Sequence, residues 1–288
     1  MSDSIIRHRV ESEVFPAREG ALARGFATHN YAIEAHDHSF CEINIVLEGS
    51  GIHYIEDKSL RARRGDVFVI PPSVSHGYAS GGEDFNVFHL ILKDGFFAKY
   101  GGDLRALPGY RLLFEIEPYL RLRSQMLFLD LSPAELFSIS DSLKLLNELE
   151  GDSTPGGDTL RNLHALFVIT ELSSIMHNRV SAPDTAERRE YSAIAASIDY
   201  IHSSPFERIT IDALAALSNM SRSSFIRKFK AIFSKSPMQY IIEQRVISAE
   251  RMIGEGEAKT QVAHRCGFYD LSHMEKAIAK YRKKGLSH

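Results

Sequence analysis

The spacing of apolar positions changes along the chain. Between residues 20 and 93 it is close to two. Segments 31–34, 42–47, 51–56, 61–64, 67–70 and 85–92 are short, partly alternating and rich in β-branched or aromatic residues. Turn-forming clusters separate them at 48–51, 56–58, 71–73 and 80–82. Several short strands at this spacing predict a sandwich or barrel. From Ser132-Pro133, a cap followed by a first-turn proline, the period becomes helical. Leu136, Ile139, Leu143, Leu146 and Leu149 recur at 3, 4, 3, 3 spacing. That seam suits either packing on the barrel or pairing with the same seam of a second subunit. A second helix is predicted over 158–177. It is apolar on most sides (Leu163, Leu166, Phe167, Val168, Leu172, Ile175), so burial is expected. Polar, aperiodic residues 178–190, which include Pro183, read as a linker.

Beyond the linker every strong pattern is helical, and a weak repeat appears. Leu214-Ala215, three residues, then Asn219-Met220 recurs 48 positions later as Val262-Ala263, three residues, then Gly267-Phe268. Each copy reads as a helix, a tight turn and a second helix, with Asn219 or Gly267 where the turn needs a left-handed backbone. Ser221 is the expected cap of one second helix, with Phe225, Phe229 and Ile232 or Phe233 inward. Its other face carries Arg222, Ser223, Ile226, Arg227 and Lys230. In the second copy Met274 and Ile278 take the inward places, opposite Ser272, Glu275, Lys276, Lys280 and Lys283. A helix capped by Ser236-Pro237 with Gln239 joins the copies, its stripe being Ile242, Val246, Ala249 and Ile253.

Charge sharpens this division. The formal net charge is −3, yet residues 188–288 hold 17 basic and 10 acidic residues. The remainder holds 17 basic and 27 acidic residues, so a net of +7 sits beside a net of −10. This suggests a nucleic-acid-facing module carried by an acidic domain with another task. A helix fits the major groove, where Arg227 suits guanine, Ser223 is permissive, Ile226 suits a thymine methyl and Glu275 accepts from cytosine. Ser272 and Lys276 complete the base-contact candidates. Arg222, Lys230, Lys280 and Lys283 are the phosphate candidates. A hydrophobic content of 44% and a charged content of 25% are those of an ordinary globular chain. Two distant cysteines, Cys41 and Cys266, exclude a disulfide framework. Apolar runs too short to span a bilayer and an N-terminus without a signal-peptide pattern make a cytoplasmic location the expectation.

Residues from about 191 to the C-terminus resemble the DNA-binding module of AraC/XylS-type transcription regulators. The most specific pieces are Met220-Ser221-Arg222-Ser223 with Phe225 and Phe229, Ser236-Pro237 with Tyr240 and Arg245, Ala249, and Gly267-Phe268 with Ser272-His273. The resemblance implies two recognition helices entering major grooves about one turn apart. Met274 and Ile278 replace the usual phenylalanines. About two extra residues precede Gly285, and the customary terminal Pro and Tyr are missing.

In the acidic part, His36-x-His38, then Glu42 and Gly49, followed by Gly65, Pro71, Ser73 and His76, resemble the two signature motifs of cupin barrels. Asn30 and Ser80 depart from the motif ends. Read as one strand, His36, His38 and Glu42 share a face. Three readings stand together: one divalent ion held by His36, His38, Glu42 and His76; a metal-free pocket for a polar effector; or histidines closing barrel hydrogen bonds. Arg24, Tyr54, Tyr78 and His89 are further pocket candidates. The expectation is an α+β chain: a cupin-like sensor at 1–130, a helical segment at 131–178, a linker at 179–190 and a double helix-turn-helix domain at 191–288. Its expected task is effector-controlled transcription regulation, as a homodimer on double-stranded DNA, with a sugar as the favoured effector. RNA polymerase is an expected partner and activation the expected outcome. The rival reading is a metal-dependent cupin enzyme, an isomerase or dioxygenase, with a helical appendage.

Overall fold

A computed structural model describes residues 7–9, 11–14, 20, 22–82, 84–118, 121, 129–181, 193–198, 200–201, 209–254 and 256–282. The chain forms two compact units, Met1–Ala182 and Pro183–His288. Among the described residues, no helix is long and apolar enough to cross a membrane.

The first unit is built on two five-stranded sheets. One has the order β1 (Arg7–Arg9), β3 (Ile33–His38), β8 (His76–Ser80), β5 (Ser50–Ile55), β6 (Lys58–Arg63). The other has the order β10 (Leu129–Asp130), β7 (Asp66–Ile70), β4 (Cys41–Glu48), β9 (Asn86–Leu92), β2 (Ala23–Thr28). β1 pairs with β3 in parallel; every other pairing is antiparallel. The sheets have different burial patterns. Along β5 and β6 buried and exposed residues alternate, so one face meets the barrel interior and the other meets water. All of β7 and the first six residues of β4 are buried, as in a sheet covered on both faces.

The covering elements are helical. A one-turn α1 (Glu11–Val14) precedes the barrel, and α2 (Asp94–Ala106) with a π-helical turn at Leu112–Ile116 follows it. Next come α3 (Pro133–Glu148) and α4 (Pro155–Ser181), which pack on each other and on β2. The α3 start is a complete capping box: Ser132 accepts from the Glu135 amide, and the Glu135 carboxylate accepts from the Ser132 amide. Gly25 on β2 lets α3 lie close, because a Cβ there would stand 2.9 Å from the Leu146 Cβ.

Several expectations need correction. Leu136, Ile139, Leu143 and Leu146 are buried inside this unit, so that seam is not free to pair with a second subunit. Leu163 and Phe167, expected inside, are exposed, whereas Val168, Leu172 and Ile175 are buried. α4 continues through residues 178–181, where the linker was expected to begin, and 182–190 lie outside the described residues.

In the second unit a helical stretch at 193–198 precedes α5 (Ile211–Leu217), α6 (Arg222–Phe233), α7 (Pro237–Gly254), α8 (Lys259–Arg265) and α9 (Leu271–Arg282). Asn219 (φ 49°) and Gly267 (φ 70°) occupy the left-handed region in the two tight turns. Phe229 lies at the centre of the first core, with ring centroids 5.6 Å from Phe225, 4.6 Å from Phe233 and 5.5 Å from Tyr240. Val246, Ala249, Met252, Val262, Ala263, Met274 and Ile278 form the second core, with Ile242 and Ile253 packed at its edge.

Candidate functional site

His36 and His38 end β3 and Glu42 stands at the start of β4, so the three lie on two strands in different sheets rather than on one strand. The turn between those strands carries the chain from one sheet to the other and aims all three side chains inward. β8 pairs with β3 so that His76 faces His36, and β9 brings His89 in from the second sheet. All five residues are buried. Glu42 Oε2 lies 3.1 Å from His38 Nε2 and 3.5 Å from His76 Nε2, and Glu42 Oε1 lies 2.8 Å from His89 Nδ1. One ligand atom each from His36, Glu42 and His76 can be chosen so that all three lie within 4.8 Å of one another.

The protonation pattern follows from the partners. Burial opposes the charge on Glu42, but hydrogen bonds from His38 and His89 and the neighbouring His76 hold its carboxyl well below the usual range. Burial lowers His36 and, more strongly, His76, so both rings are neutral near pH 7. The Nδ1 atoms of His36 and His38 reach backbone carbonyls, of Glu34 at 3.0 Å and Phe40 at 2.7 Å, which can only accept. With His38 Nδ1 committed to a carbonyl, the ring turns its Nε2 to Glu42 Oε2 at 3.1 Å, a position from which it can donate to the carboxylate or share an ion with it. Imidazole lone pairs beside one ionised carboxylate are a donor set suited to zinc, iron or manganese, so these residues fit a divalent ion.

A cavity of about 330 Å³ opens beside this cluster. Arg24, Thr28, His36, Glu42 and His89 are among its polar lining groups, and Phe26, Tyr31 and Phe40 among its aromatic ones. The His89 ring stacks on Phe26 at 5.1 Å and meets Tyr31 edge-on at 4.5 Å. Arg24 is at the wall but engaged: it donates to Glu150 at 2.7 Å and to the Val14 carbonyl at 2.6 Å.

Tyr54, expected in the pocket, is 44% exposed on the outer face of β5. Its neighbour His53 points inward instead, fully buried, stacked on Tyr78 at 4.3 Å and edge-on to Phe68 at 4.5 Å. Neither ring nitrogen of His53 has a hydrogen-bond partner among the described residues. Burial, then the charge of Arg121, holds its pKa well below the usual histidine value. Tyr78 is buried and accepts from the Asn44 amide at 3.1 Å. Arg121, also fully buried, donates to the Val69 carbonyl and lies 3.1 Å from Glu117, whose carboxyl burial pushes up to about 7 against the pull of Arg121. His53, Arg121 and Glu117 were missed from the sequence. Strict alternation from Ile55, which a core strand buries, was the available signal for His53.

In the second unit Arg222, Ser223, Arg227 and Lys230 are exposed on α6, and Ile226 is half-buried. Ser272, Glu275, Lys276 and Lys280 are exposed on α9, and Lys283 lies outside the described residues. Arg222 pairs with Asp212 at 2.8 Å, and Glu275 lies 3.7 Å from Lys259. Both helices start at side-chain caps: Ser221 accepts from the Ser224 amide at 3.3 Å, and Asp270 from the His273 amide at 2.7 Å.

With both sites in view, comparison with known proteins decides the family. Residues 19–169, more than half of the chain, match the model of the AraC-like ligand binding domain. The chain belongs to the AraC family of transcription regulators. Residues 214–284 match a helix-turn-helix domain, and the chain is an AraC-family DNA-binding regulator with a ligand-binding domain. It is 23% identical over 259 residues to the HTH-type transcriptional activator RhaR of Salmonella dublin, covering 88% of this chain and 84% of that one. RhaR of Salmonella arizonae gives the same figures. Among solved structures, ToxT from Vibrio cholerae is 11% identical over 89% of this chain and 92% of its own, with a TM-score of 0.31. The DNA-binding domain of AdpA in complex with a target DNA is 27% identical over 32% of this chain and 95% of its own, with a TM-score of 0.29.

Proposed function

We propose that this AraC-family chain is a cytoplasmic transcriptional activator whose effector is a small polar molecule, a sugar, bound in the cavity beside Glu42. The observation that carries this reading is the buried carboxylate of Glu42 at the edge of a cavity that also has aromatic walls. Sugars present apolar ring faces that suit Phe26 and Tyr31 and hydroxyls that suit Glu42, His36 and Thr28. The activator role is supported by the likeness to RhaR. Base contacts are assigned to Ser223, Ile226, Arg227, Ser272, Glu275 and Lys276. Phosphate contacts are assigned to Arg222, Lys230, Lys280 and Lys283, and RNA polymerase is the partner at the promoter. A homodimer forms through the outer face of the α3–α4 hairpin, where Leu145, Leu160, Leu163 and Phe167 are exposed. The barrel cluster is a binding site rather than a catalytic centre.

A second reading is favoured by the convergence of His36, Glu42 and His76, whose ligand atoms lie within 4.8 Å of one another: one divalent ion held by these three with His38 in reach. Such an ion would supply a Lewis-acidic anchor for an effector hydroxyl. A thermal-shift screen over pentoses, hexoses, 6-deoxyhexoses and divalent ions, with and without chelator, tests both readings. A ligand at about 100 times its Kd stabilises by about 2.7 kcal/mol, which is readily detected. Stabilisation by a sugar that is absent in Glu42→Gln supports the proposal. Stabilisation by zinc or manganese alone favours the ion. No response to either class removes both.

A further inference from the structure

The two helix-turn-helix units differ by one residue, and that residue is the most exposed of the large hydrophobic side chains among the described residues. Up to the left-handed position the turns are superposable in their bonding. The Met220 amide donates to the Ala215 carbonyl at 2.9 Å, and the Phe268 amide donates to the Ala263 carbonyl at 3.0 Å, a spacing of 48 in both partners. Beyond that point the spacing becomes 49. Ser221, directly after Met220, caps α6 and its carbonyl accepts from the Phe225 amide; Asp270, two residues after Phe268, caps α9 and its carbonyl accepts from the Met274 amide. The inserted residue is Tyr269, which is 92% exposed.

Its backbone is tightly held while its ring is not. On one side Gly267 has its carbonyl bonded by Arg245 at 2.8 Å, and Phe268 is buried with its ring edge-on to His273 at 5.5 Å. On the other side Asp270 is fixed by its cap. The Tyr269 amide itself donates to His273 Nδ1 at 3.4 Å. A phenol on a rigid mount at the leading end of a recognition helix has little backbone entropy left to lose on binding, and among the described residues its ring is almost wholly exposed. Tyrosine has an apolar face for a deoxyribose and a hydroxyl that donates to a phosphate oxygen.

We propose that Tyr269 is a DNA-contacting residue of the second unit, its hydroxyl donating to a backbone phosphate and its ring covering the adjoining sugar. This rests on the DNA-binding reading and adds a contact that the first unit lacks. The full chain is used to select duplexes from a random-sequence library. Affinities of wild type, Tyr269→Phe, Tyr269→Ala and Lys280→Ala are then measured on a selected duplex and a scrambled one over a salt series. Removing the hydroxyl is expected to weaken both duplexes by about 3-fold, and removing the ring by about 10-fold. Because the donor is neutral, the salt slope stays as in wild type in both Tyr269 variants, whereas Lys280→Ala lowers it by about one. Unchanged unfolding midpoints are expected of so exposed a position. Wild-type affinity in Tyr269→Ala overturns the proposal, and does so too if promoter activation is lost at the same time, since the ring then serves a protein partner. Weakening confined to the selected duplex also overturns it, because that is base reading. A wild-type chain that selects no duplex overturns the DNA-binding reading together with this one.

Discussion

Glu42 and Phe229 each lie at the centre of a folded unit, and their surroundings differ in kind. Phe229 is packed by Phe225, Phe233 and Tyr240, groups whose burial drives folding and needs nothing further. Glu42 is surrounded by histidines, and nearby His53, Asn44, His76 and Arg121 have buried polar atoms without hydrogen-bond partners among the described residues. Desolvating such groups costs about 1–3 kcal/mol each when nothing replaces water. An interior built for stability alone would not carry them. The difference separates an apolar scaffold from an interior with polar groups in excess of what its own hydrogen bonds satisfy, as the proposed effector site requires.

Substitutions at the two centres are the strongest way to break that contrast. Phe229→Ala should destabilise the helical unit by about 3–5 kcal/mol while leaving ligand binding by the barrel intact. Urea unfolding followed by circular dichroism, with thermal shift for the barrel, would contradict this if both units fell together. Arg227→Ala should leave stability alone and cost about 1–3 kcal/mol on a selected duplex, relaxing one base position. An unchanged specificity profile counts against that contact.

Acidity sharpens the contrast further. His36, His53 and His76 have folded pKa values below the ordinary 6.5. The unfolded chain therefore binds more protons just below that pH, and barrel stability falls as pH drops through 6.5. Glu117 acts with the opposite sign. Its folded pKa of about 7 lies above its ordinary value of 4.5, so its contribution is lost as pH rises through 7. His53→Asn should flatten the acid loss by up to about 1.4 kcal/mol per pH unit, and Glu117→Gln should steepen it. Urea midpoints at pH 5.5 and 7.5 measure both, and equal slopes in all three proteins would refute the assignment. The smallest expected effect is Ser221→Ala, about 0.5–2 kcal/mol from the lost α6 cap, seen as a lower unfolding midpoint of the helical unit.

Where local chemistry decides the structure, the sequence is legible. The capping signals at Ser132, Ser221 and Ser236, the left-handed Asn219 and Gly267 and the inward phenylalanines of α6 each depend on neighbours within a few residues. Where partners are distant, it is not. β2 and β8 carry ARGFAT and HGYAS, whose polar and small residues hide a strand until the sheet forms around them. α2 contains a Gly101-Gly102 pair and no strong stripe. On β5 the apolar Ile52 and Tyr54 face water while His53 faces the interior, an inversion that hydrophobic parity cannot reveal. The α3 seam was legible as a seam, but the surface it meets was not. The motif residues His36, His38, Glu42 and His76 converge although they belong to three strands in two sheets.

Occupation of the polar barrel interior is expected to control DNA binding. The direct test is the affinity of the full chain for a selected duplex, with and without the sugar or ion that shifts its unfolding midpoint, in wild type and in Glu42→Gln. A change of about 5-fold or more in wild type, absent in Glu42→Gln with its ligand-free affinity preserved, is the predicted result. Equal affinities with and without the bound ligand in wild type would contradict the account.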